Sequence, residues 1–154
     1  MSLIDGYAPS TKGVHAGGDI DPAEGWAGGA VTPGAVLVGS ATDGSVGEAG
    51  AGATNVLGYA LENQGPGKQF RDDIATGERV RYNTRKGARF MGIVKATSSP
   101  LVYGDYLKSA AGGELEKWDS AADAVTKICA KYVEKADFTP GASAERKVCE
   151  FGGV

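Results

Sequence analysis

The sequence predicts an all-β fold: a small sandwich or barrel built from two pseudo-repeats and preceded by an extended N-terminal arm. Three observations lead there. Short apolar runs alternate with glycine-centred turns from Val31 onward, the pattern of a small sandwich or barrel. The second half of the chain repeats the first at an offset of 67 to 72 residues. Large apolar residues are scarce: Leu, Ile, Val and Phe number 29 of 154, beside 25 Gly and 23 Ala, close to the lower limit for a self-sufficient core.

Residues 1–30 come first and carry Gly13, Gly17, Gly18, Gly25, Gly28 and Gly29. Their possible anchors, Leu3, Ile4, Tyr7, Val14, Ile20 and Trp26, follow neither a period of 2.0 nor one of 3.6. This predicts an extended arm whose anchors rest on another subunit, and deleting 1–30 is expected to leave a folded barrel. Trp26, with nothing local to pack on, is a candidate interface anchor. Trp118 is expected at the edge of the core.

Residues 31–154 form the predicted barrel domain, with pseudo-repeats at about 31–83 and 101–151. Gly34 to Gly39 is the first strand, and Asp43-Gly44 is a hairpin turn whose two residues tolerate positive φ. Strands follow from Val46, over Val56 to Glu62, Glu78 to Tyr82, Phe90 to Lys95, Val102 to Leu107, Leu115 to Trp118 and Arg146 to Phe151. Ala121, Val125, Ile128, Cys129 and Tyr132 fall at helical spacing, with Ser120 and Asp123 as caps. The repeat decides for a strand there and leaves at most one helical turn near 119–124.

In that repeat Gly34-Ala35-Val36-Leu37 aligns with Gly104-Asp105-Tyr106-Leu107, and Asp43-Gly44-Ser45-Val46 with Gly112-Gly113-Glu114-Leu115. Val56 to Glu62 aligns with Ile128 to Glu134, and Glu78 to Arg81 with Glu145 to Val148. One half cannot close a core, whereas two packed together can wrap a barrel and hide their edges.

A net charge of −3 excludes a strongly basic nucleic-acid coat. Residues 1–66 hold Lys12 against seven acids, and residues 67–154 hold 15 basic and 12 acidic side chains. Arg79 and Arg81 alternate with Val80 and Tyr82, which puts both guanidinium groups on one strand face. With Arg85, Lys86 and Arg89 they form a candidate charged interface, pairing with acidic residues of the arm or of a partner; nucleic acid is the weaker reading for an acidic chain.

No catalytic, cofactor or metal residues are assigned, and the chain is expected not to be an enzyme. His15 is the single histidine and no Gly-x-Ser-x-Gly occurs. Gly65-Pro66-Gly67-Lys68-Gln69 places Gln69 where a phosphate loop needs Ser or Thr. Cys129 and Cys149 form no CxxC unit; two buried thiols are the first reading and a disulfide the second. No apolar run reaches the 18 residues of a membrane span, and the N-terminus lacks the pattern of a signal peptide, so cytoplasmic synthesis is expected.

The repeated Gly-x-x-Leu strand, its Asp-Gly or Gly-Gly turn, the Val-Leu-Gly-Tyr-Ala-Leu-Glu strand at 56–62 and the closing basic-alternating strand resemble the head decoration, or capsid-stabilising, proteins of tailed bacteriophages. The resemblance covers about residues 31–154. It implies a small β-barrel or β-tulip-like domain that forms a homotrimer on the outer surface of a viral head, with the major capsid protein as partner, clamping adjacent capsomers; residues 1–30 suit a terminal arm by composition. A second reading is a biotinyl- or lipoyl-like carrier or small-ligand module, whose turn lysine is missing at both Asp43-Gly44 and Gly112-Gly113.

Overall fold

In the computed structural model the described residues are 13–63, 65–69 and 71–153. They form eleven strands and two single 3-10 turns. The strands are β1 (His15–Gly17), β2 (Pro22–Trp26), β3 (Val36–Gly39), β4 (Val46–Glu48), β5 (Gly58–Ala60), β6 (Arg79–Asn83), β7 (Arg89–Val94), β8 (Tyr106–Ser109), β9 (Leu115–Lys117), β10 (Ile128–Tyr132) and β11 (Glu145–Phe151).

One sheet runs β2-β6-β5-β3-β4, the other β1-β7-β11-β10-β8-β9. The second closes on itself because β7 also pairs with β9, in parallel, at Val94 and Leu115. Lys95 N donates to Leu115 O at 2.9 Å to seal that ring. In the first sheet Gly28 N donates to Val46 O, also at 2.9 Å, beside the parallel bridge of Ala27 to Val46. Both sheets therefore curl shut by the same contact. They are called the N-barrel and the C-barrel below.

The register makes the duplication explicit. Val36 faces Tyr59 and Tyr59 faces Asn83, as Tyr106 faces Lys131 and Lys131 faces Glu150. Asn83 faces Pro22, as Glu150 faces Arg89. The turns that lead into β3 and β8 both need glycine, with Gly34 at φ 94° and Gly104 at φ 90°. Val31 bridges Ile74 where Leu101 bridges Phe138.

The cores differ in size. Ala27, Val31, Leu37, Val46, Ala60, Ile74 and Val80 fill the N-barrel. Equivalent positions in the C-barrel hold Val94, Leu101, Leu107, Leu115 and Tyr132, each fully buried side chain contributing roughly 1.5–3 kcal/mol. The equivalent of Val80 is Lys147, whose ammonium sits 4.4 Å from the centroid of Phe138. A cation–π contact there replaces the aliphatic pair of Val80 and Ile74.

The expected arm requires correction. Residues 1–12 lie outside the described residues, but 13–30 are woven into the barrels: β1 pairs with β7, and β2 pairs along its whole length with β6. Val14 is fully buried in the core. The strand period exists in β2 but is written in small residues. Glu24 and Trp26 face out, while Gly25 turns in against Val46, whose methyl would lie 3.1 Å from a Cβ placed there. The equivalent Gly92 packs in the same way on Leu115. At 119–132 the repeat prevails over the helical spacing: β10 is a strand, and the 3-10 turn falls at Val125–Lys127.

Candidate interaction surface

The two barrels meet through the outer face of β3 and β5. Tyr59 leaves the N-barrel there and stacks on Phe90 of the C-barrel, with Phe151 edge-on at 5.8 Å. Its hydroxyl accepts from Asn83 Nδ2 at 2.8 Å and lies 2.9 Å from His15 Nδ1. His15 Nε2 lies 2.9 Å from the Gly18 carbonyl, which can only accept. The tautomer with its hydrogen on Nε2 fits both contacts: Nε2 donates to Gly18 O, and Nδ1 accepts a hydrogen bond from the Tyr59 hydroxyl. Val36 and Ala49 join Tyr59 in this joint. Gly113 of the C-barrel closes on Ala35 and Val36, leaving no room for a Cβ, and Arg146 Nη1 donates to the Pro33 carbonyl at 2.7 Å.

An exposed aromatic face lies on the C-barrel. Tyr103 is 59% and Tyr106 41% exposed, with Val102 beside them at 46%. The turn that presents them is fixed by the Asp105 carboxylate, which accepts from Val102 N at 2.8 Å and holds Lys117 at 3.6 Å. Trp118 meets Tyr106 edge-on, with ring centroids 6.3 Å apart, and its indole donates to the Ala124 carbonyl. Large aromatic side chains open to water in such a cluster are characteristic of protein contact surfaces.

A second face lies on β2 and β6 of the N-barrel. Trp26 is 58% exposed, and the Arg79 guanidinium sits 5.6 Å from its ring centroid. Glu24 approaches Arg79 at 3.4 Å and Arg81 at 4.0 Å. Exposed pairs of this kind are worth little individually and exchange partners easily.

The residues singled out from the sequence are distributed as follows. Leu3, Ile4 and Tyr7 lie outside the described residues; Val14 is core, and Ile20 and Trp26 are exposed. Arg79 and Arg81 share the outer face of β6, held by Glu24, and Arg85 lies 3.9 Å from Asp19. Lys86 and Arg89 belong to the turn into β7 and to its first residue. Tyr103 and Tyr106 went unnoticed in the sequence. The signal was within the repeat, where they replace Pro33 and Val36.

Both cysteines are free and buried, and burial pushes the Cys129 thiol up to about 12 and that of Cys149 higher still. Among the described residues there is no cluster of three or more metal-ligating side chains, and no helix is long and apolar enough to cross a membrane. A cleft of about 230 Å3 is lined by Glu62, Asn63, Ile74, Glu78, Arg79 and Arg81, of mixed charge and without a paired nucleophile and base.

No family model matches the chain, and no curated protein matches it. Among solved structures it is similar to the head fiber gp8.5 N base of bacteriophage phi29, at 18% identity and a TM-score of 0.49, over 87% of this chain and 95% of that one.

Proposed function

We propose that the chain is a structural component of a virion: a decoration or cement protein that forms a homotrimer on the outer surface of a viral head and bridges capsomers through the major capsid protein. The observation that carries this is the face of exposed Tyr103 and Tyr106 with half-buried Trp118, presented on one barrel while a second face with Trp26 lies on the other. Two unpartnered faces on a rigid body suit the assembly of several copies into one multivalent bridge, and the joint of Tyr59, Phe90 and Arg146 supplies the rigidity. The sequence resemblance to head decoration proteins supplies the setting. Modest contacts multiplied over three subunits give durable attachment through effective concentration.

The carrier reading gains no support. Gly113, in one of the two turns where a cofactor-bearing tip would stand, is packed against Ala35 and Val36 of the other barrel, and neither that turn nor Asp43-Gly44 carries a lysine.

The test is co-sedimentation of the purified protein with heads that lack it. Stoichiometric binding is expected, with loss of binding in the Tyr103→Ser/Tyr106→Ser double variant. A protein that stays in the supernatant with every head type offered overturns the reading.

A further inference from the structure

The joint between the barrels is heterologous: one surface of the N-barrel meets a different surface of the C-barrel. Two equivalent modules joined head to tail necessarily leave one surface of each kind uncovered. The repeat register identifies both.

On the N-barrel the covered surface is Pro33, Val36 and Ala49 with Tyr59. Its equivalents on the C-barrel are Tyr103, Tyr106, Trp118 and Lys131. The equivalence extends to the hydrogen bonds: Ala49 N donates to Val36 O at 2.9 Å, and Trp118 N donates to Tyr106 O at 2.8 Å. The exposed aromatic face is thus the counterpart of the surface that the C-barrel already covers within the chain.

The covering surface on the C-barrel is Phe90, Gly113, Arg146 and Phe151. Its equivalents on the N-barrel are Ala23, Gly44, Arg79 and Thr84, the surface beside Trp26. We propose that a second copy of this chain docks this surface on the Tyr103, Tyr106 and Trp118 face, repeating between chains the contact that joins the barrels within one.

Size complementarity supports it. Within the chain the N-barrel side is Val36 and Ala49 with Tyr59, and the C-barrel side is Phe90 and Phe151. Between chains Tyr106 and Trp118 are larger than Val36 and Ala49, while Lys131 replaces Tyr59 and Ala23 and Thr84 are smaller than Phe90 and Phe151, which conserves volume across the contact as a whole. Charge supports it too. Arg79 would reach the Tyr103 carbonyl as Arg146 reaches that of Pro33, with Asp105 standing where Ala35 stands. Its ties to Glu24 and Trp26 are solvent-exposed and cost little to rearrange.

The inference extends the homo-oligomer proposed above and rests on it for the existence of a second copy, not for the viral setting. Sedimentation equilibrium and oxidative cross-linking test it together. Within the chain a Cβ at Gly113 would lie 2.7 Å from the Ala35 Cβ, nearer than the roughly 3.5–4.5 Å that a disulfide spans, so the equivalent pair, Gly44 of one copy and Asp105 of the next, comes within cross-linking range once the two backbones part by about 1 Å. The Gly44→Cys/Asp105→Cys double variant is expected to give cross-linked species up to the size of the oligomer, and each single variant none. Tyr106→Glu is expected to weaken self-association by about 30-fold or more while the fold persists by circular dichroism.

A wild-type chain that stays monomeric at millimolar concentration, cross-linking by either single variant, or an oligomer indifferent to Tyr106→Glu overturns the proposal. Head binding without the double-variant cross-link overturns it and spares the viral reading; the cross-link without head binding supports it and removes that reading.

Discussion

Tyr59 and Phe90 lie face to face across the joint of the two barrels, ring centroids 4.2 Å apart and planes 8° from parallel. Tyr59→Phe keeps this stack and strips the hydroxyl from the buried Asn83 and the half-buried His15. A loss of about 1–3 kcal/mol is expected for orphaning those groups. Tyr59→Ala also empties the joint and is expected to lose about 3–5 kcal/mol. Chemical denaturation of the three proteins measures the order.

The same phenol gives a pH dependence. Burial first, and the Glu62 charge after it, push Tyr59 up to about 12, against the opposing effect of Asn83. The fold holds the neutral phenol, so this contribution is full below the ordinary tyrosine value and is lost as pH rises through about 12. Tyrosinate absorbance is expected to show a late-ionising fraction in the native protein that diminishes in Tyr59→Phe.

Gly58 and Gly47 offer a matched test of close packing. A Cβ at Gly58 would stand 2.2 Å from the Asn83 carbonyl oxygen, a backbone atom that cannot move aside alone, whereas one at Gly47 would meet nothing within 4 Å. Gly58→Ala is expected to destabilise by about 1–3 kcal/mol or more through overpacking. Gly47→Ala is expected to change stability little, and thermal melts of the pair give the comparison.

Removing residues 1–30 deletes β1, β2 and the buried Val14. It leaves β6 without its neighbour and breaks the closure at Ala27 and Val46. The truncated chain is expected to lose cooperative unfolding and dispersed amide resonances, contrary to what an arm would allow.

That contrast shows what the sequence could and could not convey. β3 and β10 were legible because large apolar residues mark their inward faces, β11 through its repeat of β6, and β8 only in Tyr106 and Leu107; the repeat placed β10 correctly against a helical spacing that Val125, Ile128 and Tyr132 supplied by coincidence. β2 was illegible because Gly25 must be small to admit Val46, so hydropathy saw no alternation. The proposed contact faces were half legible: Trp26 stood out for want of local partners, and it is exposed. Tyr103 and Tyr106 were hidden in a segment read whole as a strand, although the structure makes 102–105 a turn that leaves Val102 and Tyr103 facing water.

Lys108 and Asp123 form the tightest ion pair of the C-barrel surface, at 2.7 Å, with the Asp123 side chain 6% exposed. The Lys108 hydrogen bond holds the Asp123 carboxyl below the ordinary carboxylate range, aided by the Asp119 amide, and the same bond raises the Lys108 ammonium. Each shift stabilises the fold in its own window. The Asp123 contribution is present above the ordinary carboxylate value and disappears as pH falls through its lowered one. The Lys108 contribution is present below the ordinary lysine value and disappears as pH rises through its raised one. Asp123→Asn is therefore expected to be less stable than wild type across the neutral range, with the gap closing at both ends. Denaturation midpoints followed over pH check this, and a gap independent of pH would show that Asp123 acts through its turn hydrogen bonds to Asp119 rather than through charge.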